Sequence, residues 1–562
     1  MAEFIKPMLP AMDDWSDDSM PDSTPMRDFY RGKVVLLTGG TGFLGQIYVE
    51  KLLRCEAKMV YVLVRSKRGK SGPERLQELY SGELFVVLQK IYPDYVQRVR
   101  AIEGNTRELK VGLTDEIRNE LIEHVNIILH AAADVRFDNT LKELSLVNLR
   151  GTRELLKLAE ECTQLDMFAY ISTAFSHCER MYIEEKFYEP PMDPEEMIEI
   201  AEHFEEHPDD ETNLNVLTDN FVHPWPNTYS FSKALSEELM RQYGKRIPIV
   251  VIRPSIIIST HEDPIPAWCN NIYGLNGMLV ACGLGFLRIM VFDPDLKGDV
   301  ICADFVTNST LAAIWDRYNE LKPLTQSIET IKNSEIANSD QENYDINCNQ
   351  MMAMESKIYN VTAKDDGPTW GHISNTMRDM LIMYPTTQSI WCHLPNTTRY
   401  RIMEFFLVIF YHAIPGFLYD FVLKFTKNPR RLLPLYRKTH LFMIKLRFFM
   451  TQEWKFNNEN MYAVYERMSK HDQLYFPSDV RKFNWDSYCY NYNLGLLRYI
   501  GKETLGDFEP ARRRMKKFYV AHFCVLVIYY SLLALFYFYL GRLLGINSFI
   551  SSQIDRIEPF FH

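Results

Sequence analysis

The chain has 562 residues, 47% of them hydrophobic, and a formal net charge of -11. That length exceeds one ordinary domain and supplies a large core, while the acidic balance, with no basic stripe interleaved with aromatics expected before residue 500, speaks against a nucleic-acid partner. The ten cysteines are scattered without a C-x-x-C pair, which argues against a structural zinc site and fits reduced thiols in a chain facing the cytosol.

Residues 1–29 hold Asp13, Asp14, Asp17, Asp18 and Asp22 among Pro, Ser and Met, with no apolar stretch of the signal-peptide kind. They read as a disordered acidic tail. Next, Val34 to Leu37 reads as a buried strand that feeds the turn Thr38-Gly39-Gly40-Thr41-Gly42-Phe43-Leu44-Gly45. Beyond it Ile47, Tyr48, Val49, Leu52 and Leu53 recur at helical spacing. Gly39 suits a tight turn, Gly42 lets the backbone approach a pyrophosphate, and Gly45 permits close helix-to-strand packing. The free N–H groups and dipole at the helix start favour phosphate. Thr38, Gly39, Thr41, Gly42, Phe43, Leu44 and Gly45 are therefore the candidate cradle of a dinucleotide.

A second strand, Lys58 to Val64, ends in Arg65, followed by Lys67 and Arg68, with no acid before Glu74. An acid there would bond a ribose 2′-hydroxyl, whereas cations accommodate a 2′-phosphate. Arg65 and Lys67 thus point to NADPH. Val96 to Glu103 is a third strand, closed by Gly104-Asn105. Val125 to Leu129 is a fourth, running into His130-Ala131-Ala132-Ala133, where Ala131 and Ala132 let the backbone pass close to a flat cofactor. A helix follows from Val147 to Ala159, and Asn148 near its start is either a cap or a brace for the active site.

The fifth strand, Met167 to Ile171, ends in Ser172-Thr173. Glu184 to Asp219 is acidic and proline-rich, a surface insertion with one short helix. Pro226-Asn227-Thr228-Tyr229-Ser230-Phe231-Ser232-Lys233 then opens a helix on which Tyr229 and Lys233 stand one turn apart. An ammonium near a phenol favours its ionised form, so Tyr229 is the candidate proton donor and Lys233 the candidate ribose ligand. Ile247 to Arg253 is a sixth strand. The parts make an α/β fold with a doubly wound, Rossmann-type parallel sheet, as in the extended short-chain dehydrogenases/reductases.

The chain also resembles the alcohol-forming fatty acyl-CoA reductases, especially the insect ones, from about Tyr30 onward. The resemblance is carried by T-G-G-T-G-F-L-G at Thr38, V-L-V-R-S-K-R-G at Val62, H-A-A-A-D-V-R-F at His130, S-T-A-F at Ser172 and P-N-T-Y-S-F-S-K at Pro226. I-R-P-S at Ile252, I-Y-N-V-T at Ile358, W-K-F-N-N at Trp454, N-W-D-S-Y at Asn484 and G-L-L-R-Y at Gly495 extend it. It implies an NADPH-binding domain over 30–365, a mostly helical domain over 369–465, and a connecting region over 466–517. It further implies reduction of a long-chain acyl-CoA to a primary alcohol with two NADPH, in which Tyr229 and either Thr173 or Ser172 hydrogen-bond the carbonyl oxygen. Asn105 stands where the family usually has Asp to contact adenine; its amide oxygen can still accept that bond, without the charge.

Phe518 to Leu540 is an uncharged run of 23 residues behind Arg512, Arg513, Arg514, Lys516 and Lys517. It is long enough to span a bilayer, with the basic flank on the cytosolic side and a short tail over 541–562. A single-pass membrane protein with a cytosolic catalytic part follows, in the endoplasmic reticulum or peroxisomal membrane, in contact with lipid. Met403 to Val422 is apolar but interrupted by Glu404, His412, Pro415 and Asp420, and reads as a core or membrane-surface helix. A membrane-bound sterol or nucleotide-sugar dehydrogenase shares Tyr229 and Lys233 but leaves the C-terminal motifs unexplained. A non-catalytic lipid-binding scaffold would not need the hydroxyls that are present. Acyl chain length and oligomeric state are open.

Overall fold

Seven apolar runs become strands of one parallel sheet: Val34–Thr38 (β1), Met59–Val64 (β2), Val99–Glu103 (β3), Ile127–His130 (β4), Met167–Ile171 (β5), Ile249–Pro254 (β6) and Lys357–Val361 (β7). Their order is β7-β6-β5-β4-β1-β2-β3. The computed structural model describes residues 23–66, 69–208, 211–333, 355–363, 367–393, 395–425 and 431–543. Strands β1, β5 and β6 are buried along their whole length, as a sheet covered on both faces requires. The order reverses between β1 and β4, so a crevice opens at their carboxyl ends, where ligands bind in such sheets.

Several expectations shift. The third strand begins at Val99 because Tyr95–Arg98 closes into a 3-10 turn. Strand β7, which pairs Lys357 to Val361 with Val250 to Pro254, was not foreseen as a strand. The acidic stretch is not a surface insertion with one short helix. It forms two helices, Pro194–Glu206 and Glu211–Val222. Met197, Ile198 and Ala201 of the first are fully buried, and Glu202 and Glu205 answer the buried Arg150 at 3.2 and 3.0 Å. At the N-terminus, Pro25–Tyr30 is a helix capped by Thr24, and Tyr30 donates to the carbonyl of Leu311 at 2.6 Å. The folded part therefore starts upstream of Tyr30, while residues 1–22 lie outside the described residues.

Two helices frame the crevice. Phe43–Arg54 (α1) follows β1 and Thr228–Tyr243 (α2) carries the Y-x-x-x-K pair. The inner end of α1 is locked by Lys51, which donates to Asp263 at 2.7 Å, and by Arg54, which pairs with Asp263 and Glu50.

The C-terminal third is mostly helical, including Leu432–Met450 (α3) and Phe508–Leu543 (α4). It shares the core under the sheet through Trp370, Met377, Met443, Met450 and Met461. The short pair Tyr182–Ile183 with Lys455–Phe456 stitches it to the first domain. Among the described residues two helical stretches, Arg401–Leu423 and Phe508–Arg542, are long and apolar enough to cross a membrane.

Candidate active site

The glycine turn is held by backbone contact that leaves no room for side chains. Gly39 sits at φ +79°, and a Cβ there would lie 2.8 Å from the nitrogen of Ala132. A Cβ on Gly45 would lie 2.1 Å from the oxygen of Gly39. Gly42 caps α1 without a side-chain hydrogen bond, so the helix presents its first-turn N–H groups, with their partial positive charge, to the crevice. Thr38, Thr41, Phe43 and Leu44 belong to the same turn, and Ala131 and Ala132 form its opposite wall. These residues fit a dinucleotide pyrophosphate.

Behind this wall runs a buried relay. The Ala132 N–H donates to Thr38 Oγ1 at 3.2 Å, and Thr38 Oγ1 meets His130 Nδ1 at 2.7 Å. His130 Nε2 meets Thr152 Oγ1 at 2.9 Å, and Thr152 donates to the carbonyl of Asn148. Because the Thr152 hydrogen is committed to Asn148, His130 donates from Nε2 and accepts at Nδ1. Burial, followed by the charge of Lys233, pushes the His130 imidazolium down to about 3, so the ring is neutral at physiological pH. The relay ties β1 and β4 to the helix that carries Asn148.

Asn148 lies inside a π-helical turn, Ser145–Arg150, within a helix that already starts at Leu141. It is a brace, not a cap. Its oxygen accepts from the Asp134 N–H at 2.8 Å, and its nitrogen donates to the Asp134 carbonyl and to Ser232 Oγ, both at 3.1 Å. Ser232 donates to the carbonyl of Tyr229 at 2.8 Å. Asn148 thus fixes the β4 loop against the first turn of α2, whose N-cap Asn227 accepts from Ser230 N at 2.8 Å.

Lys233 is fully inside the protein. Its Nζ donates to the carbonyl of Ile171 at 2.7 Å and to the Tyr170 hydroxyl at 3.1 Å. Burial pulls its ammonium down to about 7, with Glu237 opposing. The expected lowering of the Tyr229 phenol is not found. Burial raises it, and Lys233 directs hydrogen bonds to Ile171 and Tyr170 of strand β5.

The two hydroxyls after β5 differ in what they touch. Ser172 Oγ donates to Glu237 at 2.5 Å, so its hydrogen is engaged. Thr173 Oγ1 accepts from Phe175 N at 3.3 Å, which leaves its hydrogen available to donate. Glu237 is bound in turn by the buried Arg253 at 2.5 and 3.0 Å and faces His177 Nε2 at 3.4 Å. Burial pushes the Glu237 carboxyl up, but Arg253 and His177 outweigh it and hold it well below its ordinary value. Burial pushes His177 down, but Glu179 and Glu237 outweigh that and raise it.

Arg65 stands exposed at the end of β2, on the same sheet edge. Arg75 donates to its carbonyl, and burial and then the charge of Arg65 lower the Arg75 guanidinium. Two like charges are thus held close together at the end of β2. Arg75 was missed in the sequence because it lies ten residues on, in the first turns of the helix Gly72–Tyr80. Lys67 and Arg68 lie outside the described residues. Asn105 follows β3, accepting from Arg107 N at 3.2 Å and donating to Glu108 at 3.1 Å.

An aromatic wall completes the site. Phe137 lies 5.8 Å from the Tyr229 ring and 5.7 Å from Phe449 of α3, and Phe175 packs on Phe449 at 5.2 Å and on Trp454 at 5.3 Å. Sequence spacing gave no signal for Phe449, which is more than 200 residues from Tyr229.

Residues 37–310 match the NAD-binding domain of the family described as male sterility protein, and residues 411–503 match its Sterile domain. The chain is 31% identical to fatty acyl-CoA reductase wat of Drosophila melanogaster, over 91% of this chain and 93% of that protein. It is 32% identical to fatty acyl-CoA reductase 1 of Gallus gallus, over 87% and 89% of the two chains. Among solved structures, the reductase domain of a nonribosomal peptide synthetase from Mycobacterium tuberculosis superposes with a TM-score of 0.52 at 17% identity, covering 87% of this chain and 98% of that one. The terminal reductase domain of the myxalamid pathway gives 0.51 at 16% identity, covering 84% and 92%; these two likenesses concern the fold alone. The relatives, with the two matched domains in their order along the chain, show that this protein belongs to the fatty acyl-CoA reductase family.

Proposed function

We propose that this protein reduces a long-chain acyl-CoA to a primary fatty alcohol and coenzyme A, using two NADPH and passing through a bound aldehyde. The observation that carries the reading is that Tyr229 faces Phe137 of the aromatic wall at 5.8 Å while the buried Lys233, one turn along α2, reaches the end of β5, the strand that Thr173 follows. The cradle, with Ala131 and Ala132, would hold the pyrophosphate, the third Nζ hydrogen of Lys233 would serve the nicotinamide ribose, and Arg65 with Arg75 would answer the 2′-phosphate. NADPH, when bound, supplies one hydride to each of the two reductions.

The Thr173 and Tyr229 hydroxyls donate to the carbonyl oxygen of the thioester as negative charge develops on it. The aromatic wall keeps water from the reacting carbon and lines the start of the acyl chain. After coenzyme A leaves, the same two hydroxyls hold the aldehyde oxygen, and Tyr229 gives the proton that completes the alcohol. The raised phenol pKa suits a donor that stays protonated until the alkoxide forms. Helix α4 is the membrane anchor, with Arg512 to Lys517 and the catalytic part on the cytosolic side. A long-chain product prefers lipid to water, which gives the anchor a purpose. Replacing Tyr229 by Phe should leave NADPH binding intact, read by quenching of protein fluorescence, and abolish alcohol formation. Unchanged turnover would contradict the assignment.

A further inference from the structure

Leu423 of the helical stretch Arg401–Leu423 and Leu432 of α3 lie close in sequence, and the two helices pack side by side. Gly416 lets them approach, since a Cβ there would sit 3.2 Å from the Tyr436 ring. Asp420 ties the far end by accepting from Leu432 N and Leu433 N at 2.6 and 3.1 Å. Glu404 pairs with Arg447 at the near end. Both acids of the first helix are thereby used within the hairpin.

The outer face is apolar and uncovered. Ile402, Phe405, Phe417 and Phe421 are 78%, 63%, 61% and 49% exposed, and Leu435 and Leu441 of α3 continue the patch. Exposed apolar area of this extent marks an interaction surface. The same segment is basic. From Phe421 to Gln452 there are eight cations (Lys424, Lys427, Arg430, Arg431, Arg437, Lys438, Lys445, Arg447) and no Asp or Glu, in a chain whose net charge is -11. This stripe, interleaved with Phe and Tyr, corrects the expectation that none precedes residue 500.

Contacts at both ends give the patch its place. Phe410 of the hairpin packs on Tyr529 at 5.7 Å, inside the apolar run of α4. The base of α4 is fastened to the body by Arg514, which donates to the Thr387 carbonyl at 2.9 Å, and by Phe518 against Trp391 at 5.9 Å. At its other end α3 delivers Phe449 to the aromatic wall, and Lys445 holds the carbonyl of Phe137 at 2.8 Å.

We propose that this hairpin is a second membrane-docking element, lying in the cytosol-facing leaflet of a bilayer that carries anionic lipid and holding α3, which carries Phe449 of the aromatic wall, against that surface. The proposal rests on the reading of α4 as an anchor. Apolar side chains enter the acyl region while the cations meet lipid headgroups, as in helices that lie in the membrane interface. Arg447 answers Glu404 and Lys445 the Phe137 carbonyl, which leaves Lys424, Arg431, Arg437 and Lys438 exposed beside the apolar face, and a bilayer surface next to α4 supplies both the charge and the apolar phase.

The test uses the full-length protein in vesicles of phosphatidylcholine and phosphatidylserine, some with brominated acyl chains, and three single variants. Phe421→Trp reports on the hairpin, Tyr530→Trp on α4, and Val216→Trp, on an exposed helix of the first domain, is the control. The emission added by each tryptophan over the parent protein is compared with and without bromine. Quenching of Phe421→Trp severalfold beyond the control, and greater with phosphatidylserine than without, is the result expected. Tyr530→Trp quenched while Phe421→Trp matches the control would overturn the hairpin dock and leave the anchor standing. If neither is quenched beyond the control, the anchor reading fails with it.

Discussion

At the scale of single residues, the division of labour between neighbouring hydroxyls is the sharpest consequence of the geometry. Thr173 has a hydrogen to give and Ser172 has spent its own on Glu237. Thr173→Val should therefore lower kcat by about 10²-fold, in keeping with loss of one oxyanion donor, at little cost in melting temperature. Ser172→Ala should do the reverse, lowering stability more than turnover; steady-state kinetics and thermal melts on both variants separate the two. The Glu237–Arg253 pair is buried on both sides, so Glu237→Gln leaves a guanidinium without its counter-charge and should cost about 3–5 kcal/mol in chemical denaturation. His177 beside them has a raised pKa. Its contribution to stability is present below the unfolded value near 6.5 and is lost as pH rises through the folded value. Melting temperature should accordingly fall more steeply in the parent protein than in His177→Asn as pH is raised above 6.5. At the cofactor end, Arg65→Ala or Arg75→Ala should raise the KM for NADPH roughly tenfold to a hundredfold, the worth of one charge-assisted hydrogen bond. Neither change should alter the KM for NADH.

At the scale of elements, the turn between β1 and α1 was legible because its information is local: three glycines, a strand before them and a helix after. The contact at Gly45 makes Gly45→Ala a direct probe, expected to remove cofactor binding in a titration while the rest of the sheet stays folded. The Tyr229 and Lys233 pair was equally legible as a spacing, but its electrostatics were not. Lys233 turns to Ile171 and Tyr170, and nothing in Y-x-x-x-K says where the ammonium points. Asn148 left two readings open until the helix start was known, since seven residues separate it from Leu141. Strand β7 escaped notice because its five residues follow a long stretch without strand character. The pairing of Glu237 with Arg253 could not be read, because each is an ordinary residue of its own element and only the packing of α2 on β6 joins them. For the same reason Phe449 was invisible. Phe137→Ala, which breaks the aromatic link between α3 and Tyr229, should raise the KM for long-chain acyl-CoA severalfold and leave that for NADPH unchanged.

At the scale of the whole molecule, a Rossmann-type parallel sheet is joined to two helical stretches, among the described residues, that are long and apolar enough to cross a membrane. Helix α4 has 36 residues, about 54 Å at the usual rise, long enough for a bilayer span and the basic flank before it. That this helix is long and apolar was legible from composition alone. The helical character of the C-terminal third was legible only through resemblance, and its sharing of one core with the sheet was not legible at all. The measurement that bears most directly on the central claim is incubation of the membrane-bound protein with isotopically labelled long-chain acyl-CoAs and either NADPH or NADH, with products identified by mass and cofactor consumption counted. Fatty alcohol formed at two NADPH per acyl-CoA, with little product from NADH, is the result expected. Absence of any acyl product across the chain-length panel, with NADPH binding intact, would contradict it.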